Sequence, residues 1–184
     1  MKNIDFKMVL KKNWVHLLAL GIFLSITFIY FSPQFKGFGL KQHDIEQFKG
    51  MSHEIVEHRE LYDEEPLWTN SMFGGMPTYQ ISTKYDGNWI AKLPKILNFG
   101  MKSPAGIFIL YMIGFYIMLM CMKVNRWAAI FGALAFAFAS YNLIILQAGH
   151  NSKAMALALA PPVIGAFYLI YRSNIKWGLL LSAL

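Results

Sequence analysis

The sequence predicts an all-α integral membrane protein with four complete transmembrane helices, the start of a fifth, and a large extracytoplasmic loop after the first helix. Three observations predict this class. The chain is 56% hydrophobic and 15% charged, which is too apolar for an ordinary soluble domain of 184 residues. Its apolar residues form separate blocks, each about long enough to cross a hydrocarbon core. Its basic excess lies outside the long loop.

The apolar blocks define the predicted spans. The four complete spans are residues 14–32, 104–122, 127–147 and 154–171. No small-residue cleavage site follows the first block, so we expect it to be a retained anchor and not a cleaved signal peptide. Residues 177–184 are predicted as the start of a fifth span, because eight residues are too few for a spanning helix. We therefore expect the chain to continue in a longer protein.

The positions of the basic residues predict the orientation. The tail at residues 1–13 and the turns after the second and fourth spans together account for the net charge of +7. The loop at residues 33–103 has slightly more acidic than basic residues, and the short turn at residues 148–153 has only Lys153. This positive-inside pattern places the N-terminus in the cytoplasm and both of these segments outside. Since insertion explains the basic excess, we expect no nucleic-acid partner.

The long loop is predicted to contain amphipathic helices. Apolar residues recur at steps of three and four through residues 43–60. Asp44, with Gln47 three residues later, has the spacing of a capping box at the start of this helix. Trp89–Phe99 is a second candidate. The single cysteine, Cys121, lies in the second span, so no disulfide within the chain can order the loop, which must pack on the helices or the membrane surface.

A run of histidines and glutamates in the first loop helix resembles a zinc-protease motif without having its spacing. His53 and His58 are five residues apart, whereas that motif needs two histidines four apart on one helix face. The pairs His53/Glu57 and Glu54/His58 do share faces and would hold a divalent ion weakly. The alternative is a solvated helix face.

Asp44 is the first candidate for chemistry. It follows closely on the first span, with His43 before it, so it is expected near the external membrane surface. A carboxylate in that place suits a general base toward a hydroxyl group, or a metal ligand beside a phosphate. The alternative is a plain helix N-cap.

The turn AGHNSK before the fourth span is the second candidate. It opens a helix whose first free N–H groups and dipole favour an anion, and His150, Asn151 and Lys153 add donors and positive charge. The alternative is an ordinary polar turn. Further on, Pro161 and Pro162 are expected to interrupt the fourth helix, either bending it away to open a cavity or only kinking it.

Three motifs carry a resemblance to a known family. The stretches QHDIEQFKGM, EPLWTNSMFGGMPTYQIS and AGHNSKAMALALAPP, in this order, resemble the N-terminal part of YfhO-like bacterial membrane proteins, most closely the long members found in Bacteroidetes. The resemblance covers nearly the whole chain. It implies a GT-C-like fold, because this family is related to GT-C glycosyltransferases, and a location in the bacterial inner membrane. Family members are several times longer, so we expect this fragment alone to be inactive.

The resemblance also implies a function. GT-C enzymes take a sugar from a polyprenyl-phosphate carrier, so we expect transfer to a cell-envelope glycan or lipid on the extracytoplasmic side, by inverting attack of an acceptor hydroxyl. It implies no certain cofactor and leaves room for a divalent metal. Two alternatives remain, which are a transporter or flippase of lipid-linked sugars and a non-catalytic membrane assembly subunit.

The resemblance implies roles for individual residues. Asp44 matches the family's acidic residue soon after the first helix and would be the catalytic base or a metal ligand, with His43 beside it at the substrate. His150, Asn151 and Lys153 match the second external motif, and from their charge and helix position we expect them to face the donor phosphate.

The aromatic stretch Glu65–Ile81 has two interpretations. Trp68, Phe73 and Tyr79 would stack on sugar rings and shield the reaction from water, while Gly74–Gly75 permits close backbone approach. Alternatively, the aromatic side chains fix the loop at the membrane interface, where Trp and Tyr are enriched.

Overall fold

The structure, a computed structural model, describes residues 6–82, 84, 87 and 96–182. Within these ranges the chain is mostly helical, with one short antiparallel pair of strands and a 3-10 turn at Thr78–Gln80. The elements in chain order are α1 (Phe6–Tyr30), α2 (Ser32–Phe35), α3 (His43–Tyr62), β1 (Trp68–Thr69), β2 (Met76–Pro77), α4 (Ala105–Cys121), α5 (Arg126–Ala137), α6 (Ser140–Ala148), α7 (Asn151–Tyr171) and α8 (Ile175–Ser182). Most of the second predicted loop helix, Trp89–Phe99, lies outside the described residues.

Among the described residues, two helices are each long and apolar enough to cross a membrane. They are α1, over Asn13–Tyr30, and the whole of α7. The bent pair α5 and α6 passes the same test when taken together, and α4 is a shorter apolar helix of 17 residues. Large apolar side chains on α1 face outward, among them Leu17 and Ile29, which are 54% and 75% exposed. These features indicate a membrane protein, since lipid accepts such a surface and water does not.

The centre of the helix bundle is α4. Its residues from Ala105 to Met112 are all buried, and α1, α5 and α7 pack around it. Small residues let α4 and α7 approach closely, as at Gly165, where an added Cβ would lie 3.1 Å from the Cα atom of Met118. Membrane helices commonly pack through small residues in this way. Because lipid tails are as apolar as the helices, association depends on close van der Waals contact between the backbones.

The polar loop leaves and re-enters the bundle at one end, which we call the loop end. The Gln34 side chain joins the two chain segments there. Its Nε2 donates to the Lys102 carbonyl oxygen at 3.0 Å, and its Oε1 accepts from the Ala105 backbone N–H at 3.3 Å. The end of α1 therefore lies beside the start of α4.

The predicted single helix over residues 127–147 is wrong. The structure has α5 and α6 there, bent by 45° at Phe138–Ala139. The buried Asn142 side chain explains how the break is stabilised, because its Nδ2 donates to the Phe136 carbonyl oxygen at 2.7 Å. A side-chain donor that replaces the backbone N–H at a helix carbonyl can bend the helix. Average hydropathy gives no sign of such a hydrogen bond.

Pro161 and Pro162, which we expected to bend or kink the fourth helix, lie inside one continuous helix, α7. Proline has no N–H, so the carbonyls of Leu157 and Ala158 lose their usual helical donors. Gly114 of α4 lies against the Ala158 carbonyl oxygen so closely that an added Cβ would clash with it. A neighbouring helix thus covers the carbonyl that Pro162 leaves unpaired, which is how membrane helices tolerate internal proline.

Other helix ends differ less from the predicted bounds. The first helix starts well before residue 14, α4 agrees with 104–122 to within one residue, and α8 begins two residues before residue 177. The difference that matters for function is at α7, which starts at Asn151 and not at residue 154. Asn151 and Lys153 therefore belong to the first turn of a helix.

Candidate functional site

At the loop end, the start of α3 lies against the turn between α6 and α7. Gly149 ends α6 with a φ of 98°, and the His150 N–H bonds back to the Ile145 carbonyl oxygen at 3.2 Å. This left-handed helix ending favours glycine. An added Cβ on Gly149 would lie 3.0 Å from the Cβ of Gln42 and 3.4 Å from that of Asp44, so glycine also permits the contact with α3.

Gln42 connects three helix ends at this place. Its side chain is buried, and its Nε2 donates to the Leu146 carbonyl oxygen at 2.6 Å and lies 3.5 Å from the Asn151 Oδ1. Asn151 Oδ1 also accepts from the Ser103 hydroxyl at 2.7 Å. The starts of α3 and α7, the end of α6 and the residue just before Pro104 are therefore held together by side-chain hydrogen bonds.

The side chains of Asp44 and His150 contact each other at this junction. The distance from Asp44 Oδ2 to His150 Nδ1 is 2.5 Å, and the two side chains are 39% and 50% exposed. The prediction of an N-cap and a capping box at Asp44 is wrong, because α3 begins at His43 and its N-cap residue is Gln42, with no side-chain cap bond. The carboxylate faces another part of the chain, and both members of the pair are open to a ligand.

The first turn of α7 adds positive potential beside this pair. The N-cap residue, His150, makes no side-chain cap hydrogen bond, while the Asn151 N–H donates to the Gly149 carbonyl oxygen at 2.7 Å. The first N–H groups of a helix have no intrahelical partner and favour an anion. Lys153 lies in this turn, with its Nζ 5.2 Å from the centre of the Tyr141 ring, a cation–π contact that directs it toward α6.

A cleft of about 300 Å³ adjoins the same junction. It is lined by Lys41 and His43 from the start of α3 and by Ile144, Gln147 and Ala148 from α6. His43 therefore shares this cleft with the cation Lys41. The sequence analysis did not identify Lys41, Gln42 and Ser103. No local spacing distinguishes these residues, because their neighbours at the site are far away in the sequence.

The aromatic stretch is ordered by α3, since it packs on that helix through polar contacts. The Glu54 carboxylate accepts hydrogen bonds from the Thr69 hydroxyl and from the Asn70 N–H at 3.0 Å, and the Ser71 hydroxyl donates to the Met51 carbonyl oxygen at 3.1 Å. The hydrogen bond from Thr69 is the main reason that the pKa of Glu54 lies below its usual range. Thr69 itself is fully buried.

Arg59 fixes the end of the same stretch. Its guanidinium group bonds to the Glu65 carboxylate at 2.7 Å and to the Ser82 hydroxyl and carbonyl oxygens at 3.0 Å. The Arg59 side chain is only 7% exposed. An arginine buried in this way costs free energy unless it is paired, so Glu65 and Ser82 are required partners.

The predicted ligand-facing aromatic residues have unequal positions. Phe73 and Tyr79 are 89% and 65% exposed, and Trp68 is 56% exposed. Gly75, with a φ of 123°, lies under the Trp68 indole, whose Nε1 would be 2.6 Å from an added Cβ. The close approach at Gly75 is therefore made by Trp68 and is not left for a ligand. Gly74 has open space around it.

The aromatic stretch packs away from the Asp44–His150 pair. Glu54 is ten residues beyond Asp44 on α3, which corresponds to about 15 Å at 1.5 Å per residue, and Arg59 is further still. In the structure, Asp44 contacts His150, and Gln42 contacts Asn151, the residue after His150. The part of the aromatic stretch that bonds to α3, Thr69–Ser71, does so further along that helix, at Met51 and Glu54.

The histidine and glutamate run on α3 is largely solvated. His53 Nδ1 lies 3.8 Å from Glu57 Oε2, and these side chains are 79% and 62% exposed. Glu54, the other acidic member of the run, is used by Thr69 and Asn70. Within the described residues, no group of three or more metal-binding side chains lies together.

The contact between Glu54 and the aromatic stretch predicts a response to acid. A folded-state pKa below the ordinary glutamate value of 4.5 means that the stabilisation is fully present above pH 4.5 and is lost as the pH falls through the folded value. We expect pepsin to cut residues 66–82 faster as the pH is lowered below 4.5, when its rate is divided by its rate on an unfolded peptide at the same pH. In Glu54→Gln this pH-dependent rise should be absent, with cutting already fast at about pH 5.

The matched control for this experiment is Glu57→Gln, because Glu57 is exposed on the same helix and contacts only His53 among the ion pairs of the described residues. It should keep the wild-type profile. Equal acid profiles for wild type and Glu54→Gln would show that Glu54 does not hold the stretch.

The chain matches no protein-family model, no curated protein and no solved structure in comparisons with each.

Proposed function

We propose that this chain is the N-terminal part of a YfhO-like, GT-C-like membrane glycosyltransferase, which moves a sugar from a polyprenyl-phosphate carrier to a cell-envelope glycan or lipid. The resemblance of its three motifs supports this. The observation that carries the proposal is the contact of 2.5 Å between Asp44 and His150, which come from two different motifs. A half-exposed carboxylate with an oriented imidazole, beside an uncapped helix N-terminus, suits proton removal next to a phosphate.

The proposed topology has four spans, which are α1, α4, the bent pair α5–α6, and α7. The 17 residues of α4 give a length of about 26 Å at 1.5 Å per residue, close to the thickness of a hydrocarbon core. The N-terminus lies in the cytoplasm and the loop end faces outward, in the inner membrane of a bacterium. The distribution of Lys and Arg supports this orientation.

In the proposed reaction, an acceptor hydroxyl attacks the anomeric carbon of the carrier-linked sugar. The new bond joins that carbon to the acceptor oxygen, the bond to the phosphate oxygen breaks, and the configuration inverts. The hydroxyl proton passes to Asp44, whose Oδ1 is the oxygen not held by His150. His150 positions the carboxylate, and the first turn of α7 with Lys153 stabilises the negative charge of the leaving polyprenyl phosphate.

A transporter or flippase of lipid-linked sugars is the second candidate. The bend of 45° between α5 and α6 favours it, because discontinuous membrane helices often form substrate sites in transporters. A transporter would use the positive first turn of α7 for the lipid phosphate but would not need Asp44 as a base.

A transfer assay with the full-length protein separates these two functions. The lipid extract of a strain lacking the gene should contain the accumulated donor, and envelope material from that strain should contain the unmodified acceptor. We expect purified protein in liposomes to transfer the sugar between them and to release free polyprenyl phosphate. Movement of intact carrier-linked sugar across the liposome membrane, without release of the carrier, would replace the transferase by the transporter.

A further inference from the structure

A cavity of about 780 Å³ lies at the end of the bundle opposite the loop end. Its walls come from α1, α4, α7 and α8, and most of them are apolar, as at Ile117, Met120, Leu169, Leu180 and Leu181. This volume is within the range of roughly 300–1,000 Å³ that small-molecule sites occupy. The proposed transferase chemistry, at the loop end, does not use it.

The few polar groups of the cavity wall indicate an apolar ligand. His16 Nδ1 and the Tyr116 hydroxyl are hydrogen-bonded to each other at 2.8 Å. These two polar groups of the wall therefore already have a partner in the protein. Asn174 and the half-exposed Trp177 also line the cavity, and both are near the turn between α7 and α8.

The turns beside the cavity are basic and rigid. Lys123 follows two residues after the cavity residue Cys121, while Arg172 and Lys176 lie on either side of Asn174. All three basic side chains are exposed, and the turns at residues 122–125 and 172–174 contain no acidic residue.

Both turns have the same left-handed helix ending. Lys123 and Ser173 have φ values of 60° and 62°. The next residue in each case, Val124 or Asn174, bonds back to a carbonyl near the end of its helix at 3.0 and 2.9 Å. The backbone of each helix end is therefore defined, and Lys123 and Arg172 lie in these endings, next in the chain to the cavity residues. The Arg172 guanidinium group lies 5.5 Å from the centre of the Tyr168 ring.

We propose that this cavity binds one acyl chain of an anionic membrane phospholipid, with its phosphate headgroup at Lys123, Arg172 and Lys176. An apolar cavity next to a cluster of cations is complementary to such an amphiphile, because basic residues near a membrane surface attract anionic headgroups. The occupant is a lipid of the surrounding bilayer, and the site is separate from the proposed site of sugar transfer.

Cys121 provides a direct test, because it lines the cavity and is the only cysteine of this chain. The rate of maleimide labelling at Cys121, located by peptide mass spectrometry, is measured on the detergent-purified full-length protein. Phosphatidylglycerol or phosphatidylcholine is added. At tenfold excess over its dissociation constant, phosphatidylglycerol should slow labelling roughly tenfold, since only the free site reacts. Phosphatidylcholine should give much weaker protection.

Two pairs of variants test the parts of the site. Leu169→Trp fills the cavity and should abolish protection by lipid, whereas Ile164→Trp, on an exposed part of the same helix, should keep it. Arg172→Gln combined with Lys176→Gln should remove the preference for phosphatidylglycerol, while Lys36→Gln, an exposed position at the loop end, should not. Elution as a single folded species is required of every variant before labelling.

Equal protection by both lipids would overturn the headgroup assignment. If labelling is already slow without lipid, and neither lipid changes its rate, another part of the protein fills the cavity. That result would overturn the whole proposal. Sugar transfer is not read out in this experiment, so the proposal stands or falls independently of the proposed function.

Discussion

Asp44→Asn is expected to reduce sugar transfer by roughly 10²- to 10⁴-fold, the usual contribution of a positioned general base. The change removes the charge and basicity of the carboxylate and keeps its shape. The Asn amide oxygen still accepts a hydrogen bond from His150 Nδ1, so the junction between α3 and the α6–α7 turn should stay intact. The effect should therefore appear in the chemical step and not in folding.

The measurement uses a strain without the gene, restored with wild-type or Asp44→Asn full-length protein at equal membrane levels. Envelope glycans are compared by mass spectrometry, and a sugar mass should return only with wild type. The matched control is Asp63→Asn, because Asp63 is an exposed acidic residue at the far end of α3. Return of the sugar mass with Asp44→Asn would remove Asp44 as the base and favour the transporter or the assembly subunit.

The parts of the fold that the sequence predicts well are those with a local cause. The helix at residues 43–60 was visible from its apolar spacing, and the structure has α3 there, with Ile55 and Ser52 buried. Gly50 does not interrupt it. The buried length of α4 was visible as an uninterrupted apolar block. In both cases the signal comes from residues within one element.

The parts that were not predictable depend on contacts between elements. The helix break at Phe138–Ala139 relies on Asn142, and the continuity of α7 through its prolines relies on Gly114 of another helix. Hydropathy does not reveal either contact. The sequence therefore predicted one helix over residues 127–147, where there are two, and an interruption at Pro161 and Pro162, where α7 is continuous.

The candidate site has the same division. Asp44 and His150 each stood out for their chemistry, but their contact could not be derived from spacing. Gln42 and Asn151, which hold the same junction, are 109 residues apart. The prediction of a cap at Asp44 failed because a tertiary partner took the carboxylate, a competition that local rules for helix ends do not include.

Gly114→Ala is expected to destabilise the helix bundle by at least about 1–3 kcal/mol, the usual cost of overpacking a core. The new methyl group would clash with the Ala158 carbonyl oxygen and lie near Pro162 Cδ, at 3.2 Å. A carbonyl oxygen of the backbone cannot rotate away as a side chain can. To relieve the clash, α4 and α7 must separate, and the carbonyl that Pro162 leaves without a donor would then be exposed to lipid.

Gly21→Ala is the matched control, because Gly21 lies in α1 with no atom within 4 Å of an added Cβ. There the substitution should be neutral or should stabilise the helix by up to about 1 kcal/mol through helix propensity alone. The folded fraction of each purified variant is followed by size-exclusion chromatography after heating. The two substitutions should shift the midpoint in opposite directions or by very different amounts. Equal midpoints would mean that Gly114 does not support the proline-containing helix, and that another group covers the Ala158 carbonyl.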